Sequence, residues 1–272
     1  MMIALADVAQ SAPLDDVAAA EHYAVFGQLL LPFEGIFVGE PALVGATASD
    51  LVARYEADGF DYRGYDSADH LSAELGYVQF LSAKGRKERA GEFVGAHLGR
   101  WLVALCVPLA RHGGRFAPRA DELMRWIYDD VAAGAPRAYE TAAAWSALDS
   151  AGRAAPDLDA RETDLRAIVD YLLTPSRSGL FVSAADLRHI ARRAGVPVGM
   201  GARAQLLRQL LEQAASFERA PAVFADLDVL FGEVDAAYAD YAARFTRCDA
   251  NDWRARLART RALCARIGEE AR

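Results

Sequence analysis

Residues Asp66–Arg111, DSADHLSAELGYVQFLSAKGRKERAGEFVGAHLGRWLVALCVPLAR, decide how the chain is read. Leu71, Leu75, Val78 and Leu81 recur at steps of four, three and three, the period of one buried helical stripe. Ser67 is placed to cap that helix, Asp69 adds negative charge where the helix dipole is positive, and Gly85 is a stop. A second helix carries Phe93, His97 and Trp101 at steps of four, with Val94, Leu98, Leu102 and Leu105 beside them. The stretch predicts a helical hairpin with a broad apolar face. An Asp69-His70 pair stands at the mouth of its first helix, and His97 and Trp101 lie along its second.

Upstream, Asp15 or Asp16 caps a helix through Val17, Tyr23, Phe26 and Leu30, which Pro32 ends. FEGIFVGEPALVGA has no sustained period and reads as a loop with a short helical turn, packing Phe33 and Phe37 on the core. Ser49 caps a short helix through Leu51, Val52 and Tyr55 that stops near Gly59, and FDYRGYDS forms an aromatic, acidic loop leading to Asp69. Downstream, His112-Gly113-Gly114 is a break. Pro118 opens a helix with Leu123, Trp126, Ile127 and Val131 inside, and another carries Tyr139 to Leu148. Residues 149–160 are the linker candidate, which sets a core at 1–148 and an extension at 161–272. The extension predicts helices near 161–173, 183–194, 202–217, 221–245 and 251–267. Ser183 to Asp186 forms a capping box with Asp in place of Glu, and Gly195 is a stop. VFADLDVLF is the nearest approach to strand alternation and fits a helix as well. The class is all-α, a bundle of about ten helices given usual helix lengths.

An apolar content of 53% with 25% charge supports a packed core and argues against disorder. No run approaches about 18 uninterrupted apolar residues, so no membrane span is expected. The start, MMIALADVAQSAPLDD, has no basic region or long apolar stretch to mark it for export. Cys106, Cys248 and Cys264 are scattered without metal-binding spacing, which fits reduced thiols and a cytoplasmic protein. Residues 1–150 hold 21 acids and 12 bases, a net of −9; residues 151–272 hold 17 and 18, a net of +1, matching the total of −8. An acidic front half disfavours nucleic-acid phosphates there and favours a cationic partner.

The phosphate-loop, dinucleotide, nucleophile-elbow and HExxH patterns are all absent. Asp69, His70, Glu74 and His97 can be arranged as a metal site, but equally as a helix-start carboxylate, a capping histidine, a solvated glutamate and a core histidine. SAADLRHIARRAGVPVGMGARAQLLRQLL has the outline of a helix-turn-helix, with Arg188, Arg192, Arg193, Arg203 and Arg208 available to phosphates. Its turn is longer than the tight form, and AQLLRQLLEQA is more apolar than a groove reader. A DNA-binding regulator is therefore the alternative reading.

Asp69-His70-Leu71, then Glu74-Leu75, Phe93, His97-Leu98 and Trp101 resemble the TorD/DmsD/NarJ family of cytoplasmic maturation chaperones for molybdenum oxidoreductases. FEGIFV, LVARYEADGF and the later Trp126-Ile127-Tyr128 also resemble the family, over roughly residues 20–148. Ser67-Ala68 stands where the family often has an acidic residue and proline, and the chain continues about 120 residues past a domain of usual length. The resemblance implies an all-helical, non-catalytic protein without a cofactor. Its partner would be the apo catalytic subunit of a molybdopterin oxidoreductase, bound through a twin-arginine signal peptide or amino terminus until cofactor insertion. An Arg-Arg peptide with an apolar stretch needs carboxylates beside an apolar groove. Asp66, Asp69 and Glu74 supply the charge and Tyr65, Leu71, Tyr77 and Trp101 the groove, with His70 and His97 beside them. No nucleic acid, membrane or metal partner is expected, and a homodimer stays open.

Overall fold

The computed structural model describes residues 16–38, 45–132, 155–159 and 164–271. Among them the chain is all-α. The helices are α1 Asp16–His22, which continues as a π-helical stretch Tyr23–Leu29, α2 Glu34–Val38, α3 Ala46–Asp58, α4 Leu71–Ala83, α5 Lys87–Ala96, α6 Leu98–His112 and α7 Pro118–Arg125, which runs on as π-helix to Val131. Then come α8 Leu165–Leu173, α9 Pro175–Ser178, α10 Ala184–Ala194, α11 Arg203–Ser216, α12 Ala220–Arg244 and α13 Ala250–Glu270. The only β-type pairing among the described residues is a single antiparallel bridge between Phe33 and His70. The helix expected at Tyr139–Leu148 and most of the linker candidate lie outside the described residues. The chain divides into two compact units, 1–151 with 241–249, and 152–240 with 250–272.

The first unit is built around α6. Leu98, Trp101, Leu102, Val103, Ala104, Leu105, Cys106 and Leu109 are all fully buried, so from Trp101 to Leu109 this helix is buried on every side and occupies the centre. The core around it is completed by Phe37 of α2, Leu51 and Tyr55 of α3, Leu71, Leu75, Val78 and Leu81 of α4, and Leu123 and Met124 of α7. The stripe on α4 is thus the buried face its spacing predicts. The first helix turns a different face inward: Ala18, His22, Val25 and Phe26 are buried while Val17 and Tyr23 are exposed. The π-helical stretch, with more residues per turn, shifts the register that a 3.6-residue period assumes.

Three local expectations are corrected. Helix α4 opens at Leu71 with His70 as its N-cap, because the His70 Nδ1 accepts from the Ser72 amide at 3.2 Å; Ser67 instead donates its hydroxyl to Asp69 Oδ1 at 2.5 Å. Helix α3 starts at Ala46, three residues before Ser49, whose hydroxyl donates back to Gly45 O. The second arm of the hairpin is two helices, with His97 at φ −128°, ψ −90° between them and a bend of 63°. Phe93, His97 and Trp101 therefore do not share one straight face. Gly59 ends α3 in the left-handed conformation, at φ 72°, as its position predicts.

In the second unit, the Ser183–Asp186 capping box forms in full and Gly195 ends α10 at φ 67°. VFADLDVLF is helical, within α12. The turn between α8 and α10 is buried, and side chains satisfy its carbonyls: Arg256 donates to Ser176 O at 3.0 Å, Thr260 to Ser178 O at 2.7 Å and Tyr238 to Gly179 O at 3.1 Å. Between α12 and α13, a cleft of about 340 Å³ is lined by Phe231, Asp235, Arg254, Leu257 and Arg261. Among the described residues no single helix is long and apolar enough to cross a membrane; the bent pair α5 and α6 meets the length and composition test only together.

Candidate functional site

The Asp69-His70 pair sits where two chain segments meet. Residues 32–35, at the start of α2, run antiparallel to residues 69–71, with Leu71 N donating to Pro32 O at 2.9 Å and Glu34 N to Asp69 O at 2.8 Å. Asp69 is buried and its carboxylate accepts from the Gly35 amide at 3.3 Å and the Ser67 hydroxyl. From α3, Tyr55 donates its hydroxyl to Ala68 O at 2.9 Å. Asp69 is thus a fastener between the Pro32–Val38 strap and the mouth of α4. Burial holds the His70 ring below its ordinary 6.5, which keeps it neutral at pH 7 and able to accept at Nδ1. Its edge packs on Phe33 at 4.9 Å between centroids.

Beneath the mouth lies a buried polar network. The Nδ1 of His97 is 3.2 Å from Glu34 Oε2, and Trp101 Nε1 donates to Glu74 Oε2 at 3.4 Å. Glu34 and Glu74 are both fully buried, and burial followed by the charge of Glu34 pushes the Glu74 carboxyl well above the usual carboxylate range. Phe93 stacks on His97 at 5.1 Å and Phe37 packs on Trp101 at 5.2 Å. The break at His97 turns the imidazole toward the strap, where a continuous helix would keep it in register with Trp101.

Farther along α4, the Tyr77 hydroxyl donates to the Asp58 carboxylate, a buried group that also pairs with Arg89 at 2.9 Å and Arg86 at 3.1 Å. This hub ties the end of α3 to the turn between α4 and α5. Above it, Tyr65 rests over Gly76, and Phe60 touches Tyr65, Tyr77 and Phe80 with centroids 5.4 to 5.9 Å apart. Asp66, the next residue along, is exposed.

The nine residues singled out from sequence therefore fall into two layers. Asp66 is exposed, and Tyr65 and His70 are half-buried; Asp69, Leu71, Glu74, Tyr77, His97 and Trp101 are inside. Glu74 is not the solvated glutamate that its i+4 position beside His70 allowed. Sequence reasoning missed Glu34, Tyr55, Asp58, Arg86 and Arg89. A glutamate set in the apolar run FEGIFV was the one available signal for Glu34. Among the described residues no group of three or more His, Cys, Asp and Glu side chains is placed to hold a metal ion. Of the five arginines in the helix-turn-helix outline, Arg193 pairs with Asp226, Arg208 with Glu212, and Arg203 stacks on Phe181 at 4.0 Å while donating to Val182 O. Arg192 donates to Arg188 O on its own helix, and both side chains are exposed.

The half-open helix mouth thus lies over a buried acid–histidine–tryptophan network. Residues 2–107 match the family model described as nitrate reductase delta subunit. Over that span the chain carries this family's sequence pattern, in agreement with the resemblance drawn from Asp69-His70-Leu71, Phe93, His97 and Trp101. The matched span contains the strap, the helix mouth and the network, ends within α6, and leaves the whole second unit outside it. No curated protein and no solved structure matches the chain significantly.

Proposed function

We propose that the chain is an assembly chaperone for a molybdenum-containing oxidoreductase and has no turnover of its own. Its client is the apo catalytic subunit, held through an amino-terminal segment or twin-arginine signal peptide in the cytoplasm until the cofactor is inserted. The observation that carries this reading is the family match over the strap and helix mouth. The layering of the site supports it and refines the roles. Asp66, Tyr65 and His70 are the groups accessible to a peptide, so Asp66 pairs with a client cation and Tyr65 covers an apolar side chain. Asp69, Glu74, Tyr77, His97 and Trp101 hold that surface in shape from below, and Leu71 seats the helix start.

The test is titration of synthetic amino-terminal peptides from the host's molybdenum oxidoreductases against the full chain by calorimetry. One peptide is expected to bind, and Asp66→Asn and Tyr65→Ala each to weaken it by about tenfold, with unchanged circular dichroism; loss of one charge-assisted contact is worth about 1.5 kcal/mol. Binding by none of these peptides, together with recovery of duplex DNA from the host extract, would replace this reading with the regulator.

A further inference from the structure

One face of α4 reaches the surface, and the charges along it are sorted by sign. In its middle, Phe60, Tyr65 and Phe80 are half-buried and touch in series, with Phe60 5.9 Å from Tyr65 and 5.4 Å from Phe80 between centroids. Tyr65 also covers Gly76, halfway along the helix. Asp66, one residue before the Ser67 that bonds Asp69, lies exposed at the mouth end. At the other end Lys84, Arg86, Lys87 and Arg89 are all exposed around the turn into α5. The 13 residues of α4 set the two ends about 20 Å apart.

The basic end is not neutralised from within. Residues 84–89 hold four bases and one acid, a net of +3 in a half whose total is −9, and Lys84 and Lys87 are the chain's only lysines. Arg86 and Arg89 share the single buried carboxylate of Asp58, so one negative charge answers two positive ones. Lys84 lies over the Phe80 ring at 4.3 Å. Among the described residues neither lysine has an ion pair, and neither has Asp66, whereas Asp61 is taken by Arg63. Solubility alone asks only for interspersed signs. A basic client segment fits the Asp66 end and is repelled at the Lys84 end. A partner that fits both ends carries the two signs in reverse order around an apolar middle. This same face, turned about a two-fold axis, is such a partner. We propose that it is the interface of a homodimer, with the aromatic rings of the two copies meeting at the axis and Asp66 of each copy set against Lys84 and Lys87 of the other. The rings give the apolar centre, and the opposite charges at the rim fix the register. The dimer covers Tyr65 and Asp66, so a second copy and a client segment compete for them. That competition rests on the client reading; the dimer does not.

Sedimentation of the full chain between about 1 and 300 µM checks the dimer, because small interfaces in charge register hold in the micromolar range. A dimer is expected at about 0.05 M salt, with its dissociation constant raised about tenfold at about 0.5 M. Lys84→Glu combined with Lys87→Glu is expected to be monomeric, since both ends of the face are then acidic. Asp66→Lys is expected to be monomeric because both are then basic. An equimolar mixture of these two variants restores both contacts and is expected to sediment as a heterodimer, a result that misfolding of either cannot produce. A parent that stays monomeric over the whole range, a dimer that both variants leave intact, or a mixture that stays monomeric overturns the interface. No peptide is present in these runs, so their outcome is separate from that of the client titration. A client peptide that binds the dimer without splitting it overturns the competition.

Discussion

Asp69 and Asp66 are both carboxylates three residues apart, and the fold gives them opposite work. Asp69 accepts from an amide and a hydroxyl inside the protein, so removing it strands Gly35 N and Ser67 Oγ. Asp69→Ala is therefore expected to lower the unfolding free energy by about 1–3 kcal/mol, measured by denaturant titration, as for any buried group that loses its partner. Asp66 is exposed, and Asp66→Asn should leave stability within about 0.5 kcal/mol of the parent. A stable Asp69→Ala would show that the strap does not depend on this side chain. His70 was legible as a helix-mouth residue from its place before the Leu71 stripe. Its capping bond was not, because Ser67, three residues earlier, is the commoner N-cap type and only the backbone path decides which residue stands at the boundary.

At the scale of elements, two glycines separate packing from recognition. A Cβ at Gly76, on α4, would run into the Tyr65 hydroxyl, the end of a side chain that can swing away. Gly76→Ala is expected to change stability by less than about 1 kcal/mol, since the gain in helix propensity offsets the lost contact, while displacing Tyr65 and weakening the binding of client peptide. Unchanged peptide affinity in that variant would remove Tyr65 from the binding surface. Gly179, between α9 and α10, is a different case. Its φ is +81° and a Cβ there would collide with the Leu257 backbone nitrogen, which cannot move alone. Gly179→Ala should destabilise the second unit by more than about 2 kcal/mol, read as an earlier thermal transition. The hairpin of α4 with α5 and α6 was readable from its apolar spacing. The 63° break at His97 was not, because spacing by fours fits a straight helix equally well, and the partner that the broken helix meets is a glutamate 63 residues earlier.

For the whole molecule the charge distribution matters more than any one contact. The first 150 residues carry a net charge of −9, so a basic client segment should be steered toward them and its association rate should fall as salt rises. Stopped-flow measurement between about 0.05 and 0.5 M salt, across which the screening length shrinks severalfold, checks this. A rate independent of salt would mean that recognition is apolar. The second unit, outside the matched family span, has its own caps, its own buried Trp253 and its own internal ion pairs, such as Arg261 with Asp228 and Arg254 with Asp235.

The helical class, the hairpin, the capping box at Ser183 and the stops at Gly59 and Gly195 are properties of the sequence by itself. Each follows from neighbours within about one or two helical turns, and local periodicity and backbone freedom are enough to specify them. The two-layer site was decided by tertiary structure alone. A carboxylate's role depends on whether water reaches it, and that is set by residues far away in sequence, such as Gly35 against Asp69 and Glu34 against His97. Sequence spacing could place Asp69, Glu74 and His97 near one another, but only the tertiary packing buries both Glu34 and Glu74.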